Sequence, residues 1–271
     1  MRGVGFKMQN LFKYFRVWLT LAEMSFAEQA SSRLNTTTLI AGKLVRMGFV
    51  FVFLLALFSH TKSLAGFSLT QTLLFFMTFN LVDILAQLFF RGIYIIRSLV
   101  QSGELDLMLV KPISPLFRIA TNTTDFLDMF TMIPTLVILI FVILRLETQV
   151  SLLSLSLYVL LVLSGIILAL AIHIFTAGIA VITQEVDNLI WIYRDLMTMG
   201  RFPAAIYALP VKLVLTFVIP IAVMVSFPAE ALLGILAWPW VLFSFFWAAI
   251  FLWGSLKFWR FSLRYYTSAS S

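Results

Sequence analysis

GELDLMLVKPISPLFR, Gly103 to Arg118, gathers Glu104, Asp106, Lys111 and Arg118 and two prolines between the apolar runs 69–90 and 126–144. Such a segment is out of keeping with its chain, which is 62% hydrophobic, only 11% charged, carries 28 Phe, and has a mean hydropathy of +1.03. Soluble domains carry about a quarter of charged residues. The chain therefore reads as an all-α integral membrane protein, best counted in spans of roughly 20 residues.

Working outward from the loop, apolar runs occupy 37–59, 69–90, 126–144, 152–183, 211–227 and 238–257, six spans in all. The fourth runs for about 48 Å at 1.5 Å per residue, which exceeds the bilayer and predicts tilt or an extension beyond it. Between the last two, FPAEALLGILAWP is apolar yet interrupted by Pro228, Glu230, Gly234 and Pro239. It is too short to cross and return, so a re-entrant or interfacial hairpin is expected, with Glu230 capping a short helix or closing an outer gate. Residues 1–36 form an interfacial segment. Leu11, Phe15, Trp18, Leu19, Ala22 and Phe26 recur at helical spacing with Lys13, Arg16, Thr20 and Glu23 between them, the pattern of a basic amphipathic helix lying in the headgroup layer or in a partner's groove. The scattered basic residues do not read as a cleavable signal.

With the N-terminus inside, every basic residue except Lys62 and Arg145 falls on the cytoplasmic side, so both termini are expected there. Trp238 and Trp240 at one end of the last span, and Trp253 and Trp259 near the other, fit interfacial belts. The net charge of +7 thus reports topology and contact with anionic lipid, with no support for nucleic-acid binding. Without cysteine the chain has no disulfide, no zinc-cysteine site and no thiol chemistry.

This orientation puts the opening segment in the longest cytoplasmic loop. Gly103 suits the stop of the helix that continues from the second span. Leu105, Leu107, Met108 and Leu109 then make a short apolar helix carrying Glu104 and Asp106, ended by Pro112, and Ser114-Pro115 is an N-cap and first-turn pair for the next helix. A short helix between two turns, with an apolar face and flanking charges, is built as a docking surface.

The run Gly103-Glu104-Leu105-Asp106-Leu107-Met108-Leu109-Val110-Lys111-Pro112, followed by Ile113-Ser114-Pro115, resembles the loop of type-2 ABC-transporter permeases. Gly66-Phe67-Ser68, Arg201-Phe202-Pro203, Leu209-Pro210 and Phe227-Pro228-Ala229-Glu230-Ala231-Leu232-Leu233-Gly234 are similar to a bacterial subgroup of them, over nearly the whole chain. The resemblance implies the non-catalytic membrane subunit of an ATP-driven exporter in the bacterial inner membrane. Two six-span subunits, identical or paralogous, would enclose the pathway at their interface, and cytoplasmic ATPase subunits would dock on the loop at 99–118, with Gly103, Glu104, Leu105, Asp106, Leu109, Lys111 and Pro112 in the coupling region. ATP and Mg would be held by the partner ATPase. The chain has no G-x-x-x-x-G-K-[ST], and so no P-loop of its own.

Intramembrane polar residues are few. Asn80, Asp83 and Gln87, with Thr72, fall close to one face of the second span, and Asp83 lies about 10 Å from its inner end. Lys43 and Arg46 lie at matching depth on the first, so Asp83 is expected to pair with Lys43 or Arg46, as a structural clamp or as part of a gate. His173 reads as a buried histidine bonded to a neighbouring helix, because neither HExxH nor GxSxG accompanies it. Glu185, Asp187, Arg194 and Asp195 read as a solvated face, with a second docking contact as the alternative. A secondary transporter or channel is the rival class, but it calls for internal repeats or broken midplane helices, and no repeat relates 37–144 to 152–257. An enzyme would need a clustered acid, base or nucleophile, which the loops do not offer.

Overall fold

The computed structural model describes residues 8–31, 33–183 and 187–266; Glu185 and the side chains of Leu11, Arg33 and Asp187 lie outside what is described. The described residues are helical, and their one β-type pairing is the isolated bridge from Leu64 to Phe67. Five helices are long and apolar enough to cross a membrane, and a sharply bent pair makes a sixth candidate.

Helix α1, Met8–Ser31, is followed almost at once by α2, Arg33–His60, so the first long helix begins four residues before the predicted run. A tight turn with Ala65 and Gly66 at positive φ leads into α3, Leu69–Phe90. Ser68 caps it: its hydroxyl accepts from the Gln71 amide while the Gln71 side chain accepts from the Ser68 amide, a complete capping box. The helix continues through a 3-10 stretch, Arg91–Ile95, into α4, Ile96–Gln101. Gly103, at φ +74°, ends it in the left-handed conformation that a side chain would strain. Two short helices follow, α5 (Glu104–Leu109) and α6 (Pro115–Ala120), the second capped by the Ser114 hydroxyl with Pro115 in its first turn. Helices α7, Phe126–Leu144, and α8, Leu152–Thr183, occupy the predicted runs.

After α9, Asp187–Met197, two 3-10 turns at Thr198–Arg201 and Ala204–Ile206 lead to the bent pair. Here the structure breaks the helix within the predicted span 211–227. Helix α10 (Leu209–Leu213) runs on to Val218; the chain then breaks, resumes at Ala222 and continues through α11 (Phe227–Leu232), with 81° between the two halves. Pro220 is the cause, since it forces Ile219 into an extended conformation (φ −119°, ψ 91°). Pro228 lies inside the second half and makes no break, Gly234 turns the chain at φ +73°, and Glu230 acts through its backbone carbonyl, which accepts from Ile235 and Leu236. Helix α12, Trp238–Ser262, returns along α8.

The bundle has two poles. The turn pole carries 61–68, 145–151 and 233–237; the loop pole carries 91–125 and the far ends of α8 and α12. α3 is the spine, buried nearly throughout and packed on α7 and α8. Contacts place the segment after α8 beside the middle of α3 and α8: Tyr193 packs edge-on to His173, Gly200 lies against Phe79 and Val225, and the Ala204 amide donates to the Ser226 hydroxyl (3.2 Å). On the bent pair, Lys212 lies within electrostatic reach of Glu230, while Phe217 packs on Trp240, Phe243 and Trp247. Trp259 is not an interfacial anchor, because it is buried at the loop pole.

Candidate docking loop and intramembrane charge cluster

The two faces of α5 have different surroundings. Leu105 (0% exposed) and Met108 (7%) are buried with Ile93, Ile96, Leu99 and Val100 of the α3–α4 elbow, the end of α8 and Trp259 of α12. Leu107 (63%) and Val110 (82%) stand outward beside the exposed Glu104, Lys111 and Pro112. Leu105, named from sequence with the coupling residues, is therefore packed into the fold and is not on the outward face of α5. A three-residue difference in a helix returns a side chain to the same flank, so Leu105 and Met108 turn one way while Glu104, Leu107 and Val110 turn the other. Leu109 is half-buried. Asp106 faces Tyr266, beyond the end of α12; burial, and then the Asp106 carboxylate, push that phenol up to about 12.

On its other side the loop is strapped by α1. The Lys13 ammonium donates to the Pro112 carbonyl (2.9 Å), the Ser114 amide donates to the Tyr14 hydroxyl (3.2 Å), and the Tyr14 ring meets Phe117 edge-on at 4.7 Å. Further along, the Gln29 amide donates to the Thr124 carbonyl and the Thr124 amide to the Ser25 hydroxyl. The predicted apolar stripe of α1 is thus divided: Ala22 is buried and Trp18 turns to Phe89, while Phe15, Leu19 and Phe26 stay exposed beside Phe12. At 100° per residue those four form one strip next to the packed face, suited to lipid.

The expected pairing of Asp83 with Lys43 or Arg46 does not form. Lys43 donates to Asp128 (2.6 Å) and Asp125 (3.2 Å), and Arg91 also binds Asp125. The other Asp125 oxygen caps α7 by accepting from the Leu127 amide (3.0 Å). Asp83 instead faces Arg194 of α9, at 3.9 Å; Arg194 reaches the Tyr94 hydroxyl (3.4 Å), which also accepts from the Gln87 amide (2.9 Å). Asn80 donates to the Phe76 carbonyl of its own helix. Asp125, Asp128 and Arg91 were not singled out in the sequence, and Arg194, expected on a solvated face, is instead turned inward to Asp83 and Tyr94. Asp125 and Asp128 did carry a signal, an N-cap and a first-turn acid opening an apolar run, whereas nothing local joins Lys43 to partners more than 80 residues away. Arg46 makes no hydrogen bond or ion pair among the described residues; it lines an open cleft with Lys43, Asn80, Asp83, Asp128 and Arg201.

His173 is fully buried and bonds its own helix, Nδ1 to the Ala169 carbonyl at 2.7 Å, not a neighbour. Its ring stacks on Tyr94 (5.7 Å, 5°) and joins α3, α8 and α9 as packing. A larger apolar groove of about 630 Å³ lies between α8, α9 and α12, but its Thr176 and Ser255 hydroxyls are turned into their own helix backbones.

Among known proteins, no curated relative and no solved structure matches the chain. The family described as ABC-2 family transporter protein matches residues 44–270, a stretch that takes in α5, Asp83, Asp125 and Asp128, the bent pair and the long helices from α3 onward, and that leaves out α1 and the first part of α2 with Lys43. A multi-pass helical bundle with a short helix held out on the loop between its second and third long helices is thereby placed: the chain belongs to the ABC-2 family and is an ABC-transporter permease.

Proposed function

We propose that this permease is the membrane half of an ATP-driven exporter and that the outward face of α5 (Glu104, Leu107, Val110, with Lys111 and Pro112) docks a separate ATPase. The observation that carries this is the division of α5 between a buried face and an exposed one. A helix of six residues cannot hold itself in water, yet Leu105 and Met108 fix it to the ends of α3, α8 and α12, and Lys13 and Tyr14 hold the chain just after it. A push on Leu107 would therefore reach three long helices through packed side chains. ATP and Mg²⁺ are the business of the partner, and a second permease chain, a copy or a paralogue, completes the pathway.

The loop pole is cytoplasmic in this reading, with both termini there, in a bacterial inner membrane. The fifth crossing is then 187–208, running from the loop pole past Phe79 toward the turn pole. The bent pair Leu209–Val218 and Ala222–Leu232 enters from the turn pole and returns to it, which accounts for Lys212 lying near Glu230.

The test is affinity purification of the tagged chain from its native membrane, with stoichiometry. A P-loop ATPase should co-purify, be lost from Leu107→Asp/Val110→Asp, and persist in Leu152→Asn, an exposed change at the turn pole. A chain recovered alone, or an ATPase retained by the double variant, contradicts docking on this face.

A further inference from the structure

We propose that the cleft between α2, α3 and the Thr198–Arg201 turn is a binding site for the anionic headgroup of an amphiphile, a phosphate, sulfate or carboxylate on an apolar tail, with Arg46 and Arg201 as its ligands. The inference rests on the permease reading and names the class of substrate.

It starts from the charges. Lys43 and Arg91 are answered by Asp125 and Asp128, and Arg194 is answered by Asp83. Arg46 and Arg201 form no ion pair among the described residues; they lie close enough to act on each other and line the same cleft, where Asp83 also acts on Arg201 but is closer to Arg194. Their depth makes this costly. Arg46 is about 21 Å from the His60 end of α2 and about 20 Å from the Arg33 end. Arg201 sits over the Phe79 ring at 5.4 Å, and Phe79 is about 15 Å along α3. Cations at such depth pair or face a water-filled path, so this side of the protomer cannot face lipid.

The chemistry of the two groups names the ligand. The Phe79 ring is no hydrogen-bond acceptor and takes none of the Arg201 N–H groups, which stay available to an anion, and a guanidinium edge matches two oxygens of a phosphate or carboxylate at once. Asn80 has its amide N–H committed to Phe76, and Asp83 is turned toward Arg194, so neither offers a cation a competing seat. On one side of the remaining wall Lys43 is already bonded to Asp128 beside Thr131 and Thr135, and on the other Leu44, Met47, Val50 and Phe76 give an apolar strip that would lie along a tail.

The experiment uses the full chain, with any ATPase that accompanies it, released from neutral phosphatidylcholine nanodiscs and examined by native mass spectrometry. The probes are dodecyl phosphate, dodecyltrimethylammonium, dodecyl maltoside and inorganic phosphate. Dodecyl phosphate should be retained over the other two amphiphiles. Arg46→Gln and Arg201→Gln should each weaken it roughly tenfold, the scale of one charge-assisted hydrogen bond. Arg46→Lys, which keeps the charge and loses the fork, should fall between, and Lys62→Gln should leave retention unchanged. Equal retention of the three amphiphiles, or unchanged retention in both Gln variants with native helix content, overturns the anion site. Inorganic phosphate competing as well as dodecyl phosphate overturns the amphiphile. The two readings fail separately, because a charge preference without a co-purifying ATPase sinks the permease coupling alone, while an ATPase without a charge preference sinks only this site.

Discussion

Helices α2 and α3 are consecutive, similarly apolar, and joined by an eight-residue turn, yet their surroundings are opposite. Along α3 almost every side chain is buried, Phe75, Phe76 and Met77 among them, whereas on α2 only Leu54 is buried and Leu39, Phe49, Val52 and Phe53 stand outward. In water such a difference would be written in the composition. In a bilayer lipid and protein interior are equally apolar, so the pattern of hydrophobic residues does not say which helix is inside. What distinguishes α2 is charge: Lys43 ties it to α7, and Arg46, one turn on, is left facing the cleft.

Breaking the tie between them is expected to have the largest effect. Asp125→Asn together with Asp128→Asn strips Lys43 of both its carboxylates and Arg91 of its one, and should cost about 3–5 kcal/mol, seen as a steep fall in melting temperature in detergent. Arg46→Gln, on the same helix as Lys43 but unpaired, should leave the melting temperature within experimental scatter. If both variants melt alike, the distinction between a structural knot and a free cation is wrong.

The packing contrast is tested by Phe76→Ala, expected to cost about 3–5 kcal/mol, against Phe49→Ala, expected within about 0.5 kcal/mol for the single protomer. A large loss at Phe49 would instead reveal a partner on the α2 face. A smaller effect comes from glycine. At Gly92 a methyl group would run into the Ile119 carbonyl and lie 2.7 Å from that of Ala120, so Gly92→Ala should cost roughly 1–3 kcal/mol. Gly48 of α2 meets nothing within 4 Å, and Gly48→Ala should be neutral or gain up to about 1 kcal/mol. Topology supplies a test of position. With single cysteines in this cysteine-free chain, Lys212→Cys should be labelled by an impermeant maleimide from the same side as Lys62→Cys and opposite to Ser102→Cys; labelling alongside Ser102→Cys would restore the straight span at 211–227.

Much of the fold could be read because spans here end on punctuation. Gly103 marked the end of α4 and Ser114-Pro115 the start of α6, and the boundaries of α3, α7 and α8 followed from the apolar runs. The stretch 187–208 could not be read in this way, since Arg194, Asp195 and Arg201 and two 3-10 turns destroy both hydropathy and period. Its place beside α3 is set by charges that meet Asp83 and the Phe79 ring, partners invisible along the chain. That Gly103–Arg118 holds a short helix between two turns was legible from Gly103, Pro112 and Ser114-Pro115. Which leucine faced outward was not, because Leu105 and Leu107 differ only in what the distant ends of α8 and α12 bring against them.

That division of α5 is the centre of the account, and disulfide-free cross-linking tests it most directly. Leu107→Cys and, separately, Met108→Cys would carry a short thiol-reactive photo-cross-linker in native membranes, and adducts would be identified by mass spectrometry. A chain–ATPase adduct from position 107 and none from 108 is the predicted result. Adducts from 108 but not 107, or an ATPase that co-purifies yet cross-links from neither, would contradict docking on the outward face of Glu104–Leu109.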